Sequence, residues 1–497
     1  MICVSIGRSR HERMIAEHQI LAEQGAELVE FRVDWLGRSP DVVKLLQDRP
    51  TPCVITCRRP EDRGRWRGTE EQRLTILRTA IVSQADYVDL EEDIADDIKR
   101  YGPTKRIVSY HNFDETPDDL EDIHQRICGK DPDIVKIVTT ANTHADVVRM
   151  MKLVQNASVP TVGFCMGELG IPSRILCGKY GAPFTYATFS KERQLAPGQL
   201  SFEDMQQDYH YDRIGPKTQL FGVVGDPIAH SLSPQIHNAA FDKDDFDGIY
   251  VPFRIFKGEL QKSLEAMEWL DIRGLSVTIP HKQATVEYAD RHESSVKEIG
   301  AANTLYRTDN GEWHAANTDY NAALKCMLSG LKRRGDAEPS LVGRDVLMLG
   351  AGGVGRAVGK AVVTNGGRLT ITNRSPQKAE ELAEELKCKF VSWPDRQDVD
   401  FDVLLNCTSV GMHPDVDVSP FEEDWFPENA VVFDTVYTPE NTLFLKRARK
   451  RGCHVVAGTE MFVRQAAVQY ERFTQRTAPV ETMLKTLRRI ISPVHLS

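Results

Sequence analysis

The sequence predicts an α/β protein with two architectures on one chain, an N-terminal (β/α)8 barrel followed by a second α/β half. Eight β-branched runs alternate with amphipathic stretches over the first ~200 residues, as in repeated βα units around a parallel sheet. A Gly-Pro pair at Gly215-Pro216 then interrupts the pattern, and a new strand is predicted at Gln219–Val224. In the second half, a glycine-rich turn at Gly350–Gly355 follows a strand and opens a helix.

The eight runs of the first half are the basis for the barrel. Amphipathic stretches such as Arg10–Glu23 and Thr143–Gln155 lie between them. A doubly wound sheet is the alternative topology, but nothing rich in glycine follows the first run, so the barrel is favoured. The predicted strands are Ile2–Ile6, Leu28–Val33, Cys53–Cys57, Tyr87–Leu90, Arg106–Tyr110, Ile134–Val138, Thr161–Phe164 and Phe184–Thr188.

Length and composition exclude several classes of function. A chain of 497 residues predicts two to four domains. The net charge is −10 and the basic residues are dispersed, which argues against nucleic acid as a partner. No apolar run is long enough to cross a bilayer. The ten cysteines form no CxxC pairs, which predicts buried thiols and no metal site. Because Met1–Gly7 already has the pattern of a strand, no targeting peptide is expected, and a cytoplasmic location is predicted.

Polar residues at the ends of the predicted barrel strands are the first candidates for a site, because barrel active sites lie at the carboxyl ends of the strands. Two of them lie two residues apart on one strand and therefore share a face. The set comprises Glu30, Arg32, Arg58, His111, Lys136, Arg174 and Gln199.

Lys136 lies within the apolar run Asp133–Val138, where burial would disfavour the charged ammonium and leave an amine nucleophile. A lysine on an edge strand, or one that extends to solvent, is the alternative. A histidine such as His111, taken alone, is more often a structural residue. Together, however, the two residues suit imine chemistry, in which the amine condenses with a ketone and the imidazole moves a proton.

Several segments of the first half resemble the type I dehydroquinate dehydratase family over almost all of residues 1–210. They are Glu30–Asp34, Ser109–Phe113, Asp133–Val138 and Ala196–Gln199. The resemblance implies that Lys136 forms a Schiff base and that His111 is the general acid/base. Asp62, or Glu61 if the loop shifts by one residue, stands where the family has a glutamate that pairs with this histidine. Leu195 replaces the usual hydroxyl residue. The implied substrate-binding residues are Glu30, Arg32, Arg58, Arg174 and Gln199.

In the second half, Gly350-x-Gly352-x-x-Gly355 after a strand is typical of a dinucleotide-binding turn. A simple tight βα turn is the alternative for the motif alone. The next predicted strand, Arg368–Thr372, ends in Asn373-Arg374-Ser375 and not in the acidic residue that binds a ribose hydroxyl in NAD enzymes. The arginine suits a 2′-phosphate, so NADP is the expected cofactor, although an ordinary loop arginine is the alternative.

Lys282 and Asp319 each follow a strand-like run. Reduction of a ketone requires a proton at the forming alkoxide, and a lysine oriented by a carboxylate could deliver it. The alternative for this pair is a plain salt bridge.

The second half, residues ~218–497, is similar to the shikimate dehydrogenase family in Gly225–Pro234, Val277–Lys282, Ala302–Thr304, Asn317–Asp319 and Gly458–Ala467. The similarity implies that Lys282 and Asp319 are the catalytic pair. Ser276, where many single-domain relatives have asparagine, fits a fused enzyme. The implied substrate-binding residues are Ser231, Ser233, Thr278, Asn303, Tyr437 and Gln465. The implied cofactor-binding residues are Gly350, Ala351, Gly352, Gly353, Val354, Gly355, Asn373, Arg374, Ser375, Thr408, Gly458 and Met461.

The two resemblances together predict four segments: a dehydratase barrel at 1–214, a substrate domain of the shikimate-dehydrogenase type at 218–335, a Rossmann NADP-binding domain at 340–457, and C-terminal helices at 458–497. They imply that 3-dehydroquinate is dehydrated to 3-dehydroshikimate, which NADPH reduces to shikimate. The alternatives are a non-catalytic regulator that senses quinate or shikimate, a half-active enzyme, and a quinate dehydrogenase. The predicted partners are small molecules only, without nucleic acid or membrane, and the sequence leaves the oligomeric state open, with a monomer compatible with two domains on one chain.

Overall fold

The computed structural model describes residues 1–193, 198–229 and 231–492. The chain forms two compact units, of which the first comprises Met1–Gly222, Asp247–Ile255 and Lys262–Ile272 and the second comprises Val223–Phe246, Phe256–Gln261 and Arg273–Ser497. The segment boundaries predicted from the sequence stay a prediction. Leu195, Ala196, Pro197 and His230 lie outside the described residues, as do the last five residues of the predicted C-terminal segment.

The first unit contains the predicted barrel. Its strands are hydrogen-bonded in the order β7-β6-β5-β4-β3-β2-β1-β8, and each ladder is parallel. The elements are β1 (Ile2–Ile6), α1 (His11–Glu23), β2 (Leu28–Arg32), α2 (Val42–Leu46), β3 (Cys53–Thr56), α3 (Glu70–Val82), β4 (Tyr87–Glu91), β5 (Lys105–His111), α4 (Leu120–Cys128), β6 (Ile134–Thr140), α5 (His144–Asn156), β7 (Thr161–Met166), α6 (Ile171–Leu176) and β8 (Thr185–Thr188).

The period-2 pattern of the barrel strands explains where the polar side chains lie. Side chains two residues apart share a face, so each strand contributes successive layers to the interior. An apolar layer packs at the amino-terminal side of the barrel and includes Leu28, Val54, Ile107 and Ile134. The positions two residues further along are polar and buried: Glu30, Thr56, Ser109 and Lys136.

The elements after the barrel continue the α/β pattern. Within the second unit, β13 pairs antiparallel with β11 and β14, and β12 pairs parallel with β14. The elements that follow the barrel in the chain are β9 (Gln219–Gly225), α7 (Ser233–Lys243), β10 (Gly248–Arg254), α8 (Leu260–Ala266), β11 (Ile272–Val277), α9 (Ala284–Tyr288), β12 (Arg291–His292), α10 (Ser294–Ile299), β13 (Thr304–Arg307), β14 (Trp313–Ala316) and α11 (Thr318–Arg334).

A parallel sheet with the order β17-β16-β15-β18-β19-β20 follows. Numbered from its own first strand, this is the order 3-2-1-4-5-6 of a Rossmann fold, which places the ligand crevice beyond the ends of β15 and β18. The Rossmann prediction is therefore confirmed. The remaining elements are β15 (Asp345–Leu349), α12 (Gly353–Thr364), β16 (Arg368–Thr372), α13 (Pro376–Leu386), β17 (Lys389–Phe390), β18 (Val403–Asn406), β19 (Val431–Asp434), α14 (Leu443–Lys450), β20 (His454–Val456), α15 (Gly458–Thr474) and α16 (Val480–Ile491).

The cysteines and the helices bear on two predictions from composition. All ten cysteines lie in the described part of the chain as free thiols, and seven are buried. Among the helices of the described ranges, none is both long and apolar enough to span a bilayer.

Candidate active sites

The barrel brings its predicted site residues into one cavity of about 110 Å³ at the carboxyl ends of the strands. Three further polar side chains, Ser5, Arg63 and Tyr186, share this lining with them, together with four apolar residues. The predicted residues in the cavity are Glu30, Arg32, Arg58, Asp62, His111, Lys136, Arg174 and Gln199.

Lys136 is only 5% exposed. The apolar run in the sequence suggests apolar surroundings, but the structure places carboxylates beside the amine. Its Nζ lies 2.8 Å from Oδ2 of Asp89 on β4 and 3.8 Å from Oε1 of Glu30 on β2. The ring of Tyr186 lies 4.2 Å from the same nitrogen. The amine is thus buried as one member of an ion pair, and it must lose a proton before it can attack a carbonyl carbon.

Arg58 completes this buried network. Its guanidinium donates to Asp89 and Glu91, each at 2.8 Å, and to the Ser109 hydroxyl at 3.1 Å. Burial alone would raise the pKa of Asp89, but the charges of Arg58 and Lys136 hold it well below its usual range. Arg58 was predicted to bind substrate; in this structure its donors are directed at carboxylates of the protein.

His111 ends β5 beside this network. Burial, and then the positive charges of Arg58 and Lys136, lower the pKa of His111 well below its ordinary value, so the imidazole is neutral near pH 7. Its Nδ1 is buried without a hydrogen-bond partner in the described residues, and its ring stacks on Phe113 at 5.9 Å. A neutral imidazole beside a potential nucleophile can accept a proton from substrate.

The structure does not join Asp62 to His111. Asp62 lies in the turn Pro60–Asp62, where its carboxylate accepts a hydrogen bond from Arg59 Nε at 2.5 Å. Within the described residues, neither Asp62 nor Glu61 bonds to the imidazole. The local ion pair three residues apart is the physical reason, and the assisting role of Asp62 stays a prediction.

The remaining predicted substrate ligands differ in how many hydrogen bonds they already make to other protein groups. Glu30 accepts hydrogen bonds from Ser5 at 2.6 Å and Thr56 at 2.7 Å. Arg32 makes two bonds of 2.9 Å to Asp34. For Arg174, burial lowers the pKa to about 10, and its guanidinium lies 4.4 Å from the ring centre of Phe164. Gln199 is also buried in the cavity wall.

Asp89 and Glu91 are the important residues that the sequence analysis missed. They alternate with apolar residues in Tyr87–Glu91, so both side chains point into the barrel and meet Arg58. This alternation was the available signal, since two carboxylates on the buried face of one strand require cations nearby.

The second unit contains a separate cavity of about 410 Å³. It brings together the predicted catalytic pair, all predicted substrate ligands and part of the predicted cofactor set. The predicted residues in its lining are Ser231, Ser233, Thr278, Lys282, Asn303, Asp319, Val354, Tyr437, Gly458, Met461 and Gln465.

Lys282 and Asp319 form an ion pair in this cavity, with 2.6 Å between Nζ and Oδ2. Lys282 lies in the loop after β11, and Asp319 lies in the first turn of α11, which Asn317 caps by accepting the backbone N–H of Tyr320. A carboxylate is stabilised at this end of a helix, because unpaired backbone N–H groups point toward it. Both side chains are mostly buried, so the pair is partly shielded from solvent.

Other cavity residues are held by local hydrogen bonds. Asn303 donates to the Thr318 hydroxyl at 2.9 Å. Ser276 donates to Gln469 at 2.7 Å, and Gln469 in turn donates to the carbonyl of Asn303 at 3.1 Å. Gln469 was missed in the sequence, although it lies one helical turn after Gln465 and therefore on the same face of α15.

The glycine turn after β15 fits a dinucleotide. Gly350 has φ +108°, and a Cβ there would lie 2.8 Å from the carbonyl carbon of Cys407. A Cβ at Gly355 would lie 2.6 Å from the Gly350 carbonyl oxygen, whereas Gly352 and Gly353 have open space around them. The turn is therefore closely packed on its protein side and open at the start of α12, where a pyrophosphate could approach the backbone N–H groups.

The strand end that was predicted to bind a 2′-phosphate is exposed. Asn373 donates to the carbonyl of Ser375 at 3.0 Å. The guanidinium of Arg374 has no hydrogen bond or ion pair within the described residues. On the other side of the crevice, Thr408 donates to Asn406 Oδ1 at 2.6 Å. An arginine with unused donors at this position fits a phosphate.

Asp434 at the end of β19 is hydrogen-bonded to the segments that flank this crevice. It accepts hydrogen bonds from Asn406 at 2.9 Å, from the Val436 N–H at 3.0 Å and from the Thr442 hydroxyl at 2.6 Å. Burial raises the pKa of Asp434 to about 7. This carboxylate therefore links the loop of Thr408 to the loop that leads to Tyr437.

Family models match both halves of the chain. The model for type I 3-dehydroquinase matches residues 2–216. Models for the shikimate dehydrogenase substrate binding domain, for shikimate/quinate 5-dehydrogenase and for the shikimate 5'-dehydrogenase C-terminal domain match residues 223–305, 334–413 and 458–488.

Individual relatives agree with these matches. A solved shikimate dehydrogenase in complex with NADP+ aligns with 56% of this chain and with 97% of its own length, with a TM-score of 0.51 and 31% sequence identity. A shikimate dehydrogenase (NADP(+)) from Moorella thermoacetica is 37% identical, over 56% of the chain and 95% of its own length. A chloroplastic bifunctional 3-dehydroquinate dehydratase/shikimate dehydrogenase from Arabidopsis thaliana is 39% identical over 97% of the chain and 83% of its own length. The chain thus belongs to the family of bifunctional 3-dehydroquinate dehydratase/shikimate dehydrogenases.

Proposed function

We propose that the two cavities catalyse consecutive reactions. The barrel removes water from 3-dehydroquinate to give 3-dehydroshikimate, and the second cavity reduces this product to shikimate with NADPH. The observation that carries the proposal is the pairing of a buried amine with a neutral imidazole in one cavity, together with the Lys282–Asp319 pair beside a dinucleotide-binding turn in the other.

In the barrel, Lys136 gives up a proton and attacks the substrate ketone. The carbonyl oxygen leaves as water, and an iminium forms between Nζ and the substrate carbon. The iminium acidifies the neighbouring C–H group, from which neutral His111 removes a proton. The protonated imidazole then returns this proton to the departing hydroxyl, so that a second water is lost. Hydrolysis of the iminium consumes one water and restores the lysine, which leaves a net loss of one water.

The cations of the barrel divide into two groups in this proposal. Arg58 and Arg32 already bond to acids of the protein, and their role is to position those acids and the nucleophile. Arg174 is the proposed main ligand of the substrate carboxylate, because an anion would offset the cost of burying its charge. Gln199 and Glu30 bind hydroxyl groups.

In the second cavity, the hydride for the substrate ketone would come from NADPH when it is bound. Lys282 donates the proton that the forming alkoxide needs, and Asp319 holds the ammonium in position. Ser231 and Ser233 bind the substrate carboxylate. Thr278, Asn303, Tyr437 and Gln465 bind its hydroxyl groups.

The proposed cofactor residues follow from the fit of the crevice. The open backbone at Gly352 and Gly353 would hold the pyrophosphate, and Arg374 would hold the 2′-phosphate. The rest of the proposed set comes from the family resemblance, and Val354, Gly458 and Met461 of it also line the second cavity: Gly350, Ala351, Val354, Gly355, Asn373, Ser375, Thr408, Gly458 and Met461.

Other predictions of the sequence remain proposals. A cytoplasmic location and a monomeric state are proposed for this chain from its sequence alone. The Arabidopsis relative, in contrast, is named as chloroplastic. The Ser231-x-Ser233 pair favours shikimate over quinate. The presence of all four catalytic candidates disfavours the regulator alternative.

A coupled assay tests the proposal. The full chain is supplied with 3-dehydroquinate and NADPH, and loss of the reduced-nicotinamide absorbance is followed. We expect Lys136→Ala to abolish oxidation with 3-dehydroquinate but not with 3-dehydroshikimate, and Lys282→Ala to abolish both.

Lys130→Ala, a change at the barrel surface, is the matched control and should behave like the wild type. Normal dehydration by Lys136→Ala would refute the Schiff base. Absence of turnover with either substrate in the wild type would favour the regulator.

A further inference from the structure

A second cavity of the first unit, of about 920 Å³, lies apart from the residues assigned to chemistry. It is formed mainly by the segment after β2, by the loop that precedes α3 and by one face of α3 as far as Thr79. Trp35 and Trp66 contribute to its wall. Its volume exceeds that of the catalytic cavity several-fold, so it can accommodate a metabolite-sized molecule.

Three arginines give this cavity a positive lining. The side chains of Arg38, Arg65 and Arg67 have no hydrogen bond or ion pair anywhere in residues 1–193, 198–229 and 231–492. The guanidinium carbon of Arg65 lies 3.4 Å above the ring centre of Trp35, a contact that fixes its position without using its donors. All three side chains are exposed and share one cavity lining in a chain of net charge −10.

The acidic residues of the cavity do not neutralise these cations. Asp34 is fully buried, and its carboxylate is bonded twice to Arg32 at 2.9 Å and once to the backbone N–H of Arg65 at 2.9 Å. Glu71 is exposed. With Asp34 balanced by Arg32, three cations face one acid, which leaves an excess of about two positive charges.

This excess matches a phosphate monoester, whose charge near pH 7 is about −2. Guanidinium groups bind phosphate oxygens in pairs of parallel hydrogen bonds, and such charge-assisted bonds are stronger than neutral ones. A ligand of this class would use the donors that the protein leaves unused.

Asp34 also connects this cavity with the catalytic one. It lines the large cavity, whereas its partner Arg32 lines the cavity of Lys136 and His111. An anion beside Arg65 would repel the Asp34 carboxylate and thereby change the position of Arg32.

We propose that this cavity is a second binding site for a small phosphate-bearing molecule, and that Asp34 transmits its occupancy to the dehydratase site. The binding part stands independently of the proposed function, whereas the effect on dehydration rests on it.

Binding can be measured with inorganic phosphate as the probe. The full chain is titrated at constant ionic strength, with chloride as the compensating anion and malonate as a carboxylate comparison, and tryptophan fluorescence is recorded. We expect a saturable change with phosphate and a weaker one with malonate, because Arg65 contacts Trp35. The double variant Arg65→Gln/Arg67→Gln should raise the apparent Kd by on the order of tenfold or more.

Two matched variants locate the signal. Arg13→Gln removes an exposed arginine of α1 that does not line the cavity, and it should bind phosphate like the wild type. Arg374→Gln removes the proposed cofactor-phosphate ligand and should also leave the signal intact. A signal that disappears in either variant, or one that persists in the double variant, would overturn the site.

The coupling has a separate readout. Phosphate should change the KM of dehydration several-fold in the wild type and in Arg13→Gln, and the change should vanish in the double variant. A KM change that remains in the double variant reports phosphate in the catalytic cavity and refutes the coupling. Saturable binding without a KM change supports the site and likewise refutes the coupling.

Discussion

Asp89 is the carboxylate on which the barrel site depends, and its replacement by asparagine gives a sharp test. It is 1% exposed and accepts hydrogen bonds from Arg58 at 2.8 Å, Lys136 at 2.8 Å and Ser109 at 2.7 Å. Asparagine keeps the shape but removes the charge and turns one acceptor into a donor that faces other donors. The buried network then has three cations and two acids: Arg58, Arg73, Lys136, Glu30 and Glu91.

The expected loss of stability follows from this count. Removing one partner from a buried ion pair costs about 3–5 kcal/mol, because the remaining charge stays desolvated without compensation. Since each 1.4 kcal/mol is a factor of ten in an equilibrium constant, unfolding of the barrel should become roughly 10²- to 4 × 10³-fold more frequent. Loss of dehydration should accompany it, because Lys136 loses its nearest partner.

Hydrogen exchange followed by mass spectrometry measures the frequency of unfolding separately for each segment of the chain. Peptides of β4 and β5 should exchange faster in Asp89→Asn by the factor above, whereas peptides of the second unit should keep the wild-type rate. Asp118→Asn is the matched control, because Asp118 is fully exposed and its ion pair with Arg149 spans 3.6 Å. If Asp89→Asn and Asp118→Asn exchange alike, the network does not stabilise the barrel and the reasoning fails.

Three further changes test the second unit. Gly350→Ala should destabilise it by about 1–3 kcal/mol, because φ is +108° and the new Cβ would meet Cys407, whereas Gly352→Ala, in open space, should leave the melting temperature unchanged. Arg374→Gln should lower kcat/KM for NADPH by about tenfold or more and spare NADH; an equal loss with both would contradict a 2′-phosphate contact. Because burial raises the pKa of Asp434 to about 7, above its value in the unfolded chain, its stabilising contribution is complete below about pH 4 and is lost as the pH rises through 7. Urea unfolding should therefore show a loss on the order of 3–4 kcal/mol between these pH values that Asp434→Asn removes, and an unchanged pH dependence in the variant would refute this.

The strands of the barrel were predictable because each is buried and bounded by turn residues. The predicted Ile2–Ile6 matches the structure at both ends, and the predicted Ile134–Val138 extends to Thr140; in the second unit, Arg368–Thr372 also matches at both ends. The placement of Lys136 and His111 in one cavity also followed from the sequence, since an inward-facing lysine and a strand-end histidine were predicted on adjacent strands.

The partners of these residues could not be predicted in the same way. Asp89 lies 47 positions before Lys136, and their contact exists only because β4, β5 and β6 are neighbours in the eight-stranded sheet. For Asp62, a short-range contact that the sequence analysis did not consider decided the outcome. Its position in the chain suggested a bond to His111, but Arg59, three residues away, is close enough to bind its carboxylate first.

The ion pair between Lys136 and Asp89 also decides which covalent inhibitors can act on the barrel. A simple aldehyde meets an amine whose proton is held by a buried carboxylate, so adduct formation should be slow. A reagent that carries its own anionic group can compete for the cations around Asp89 and help to release that proton. Selective inhibitors of this barrel should therefore combine an electrophilic carbonyl with an acid, and amine-reactive reagents without one should modify the surface lysines instead.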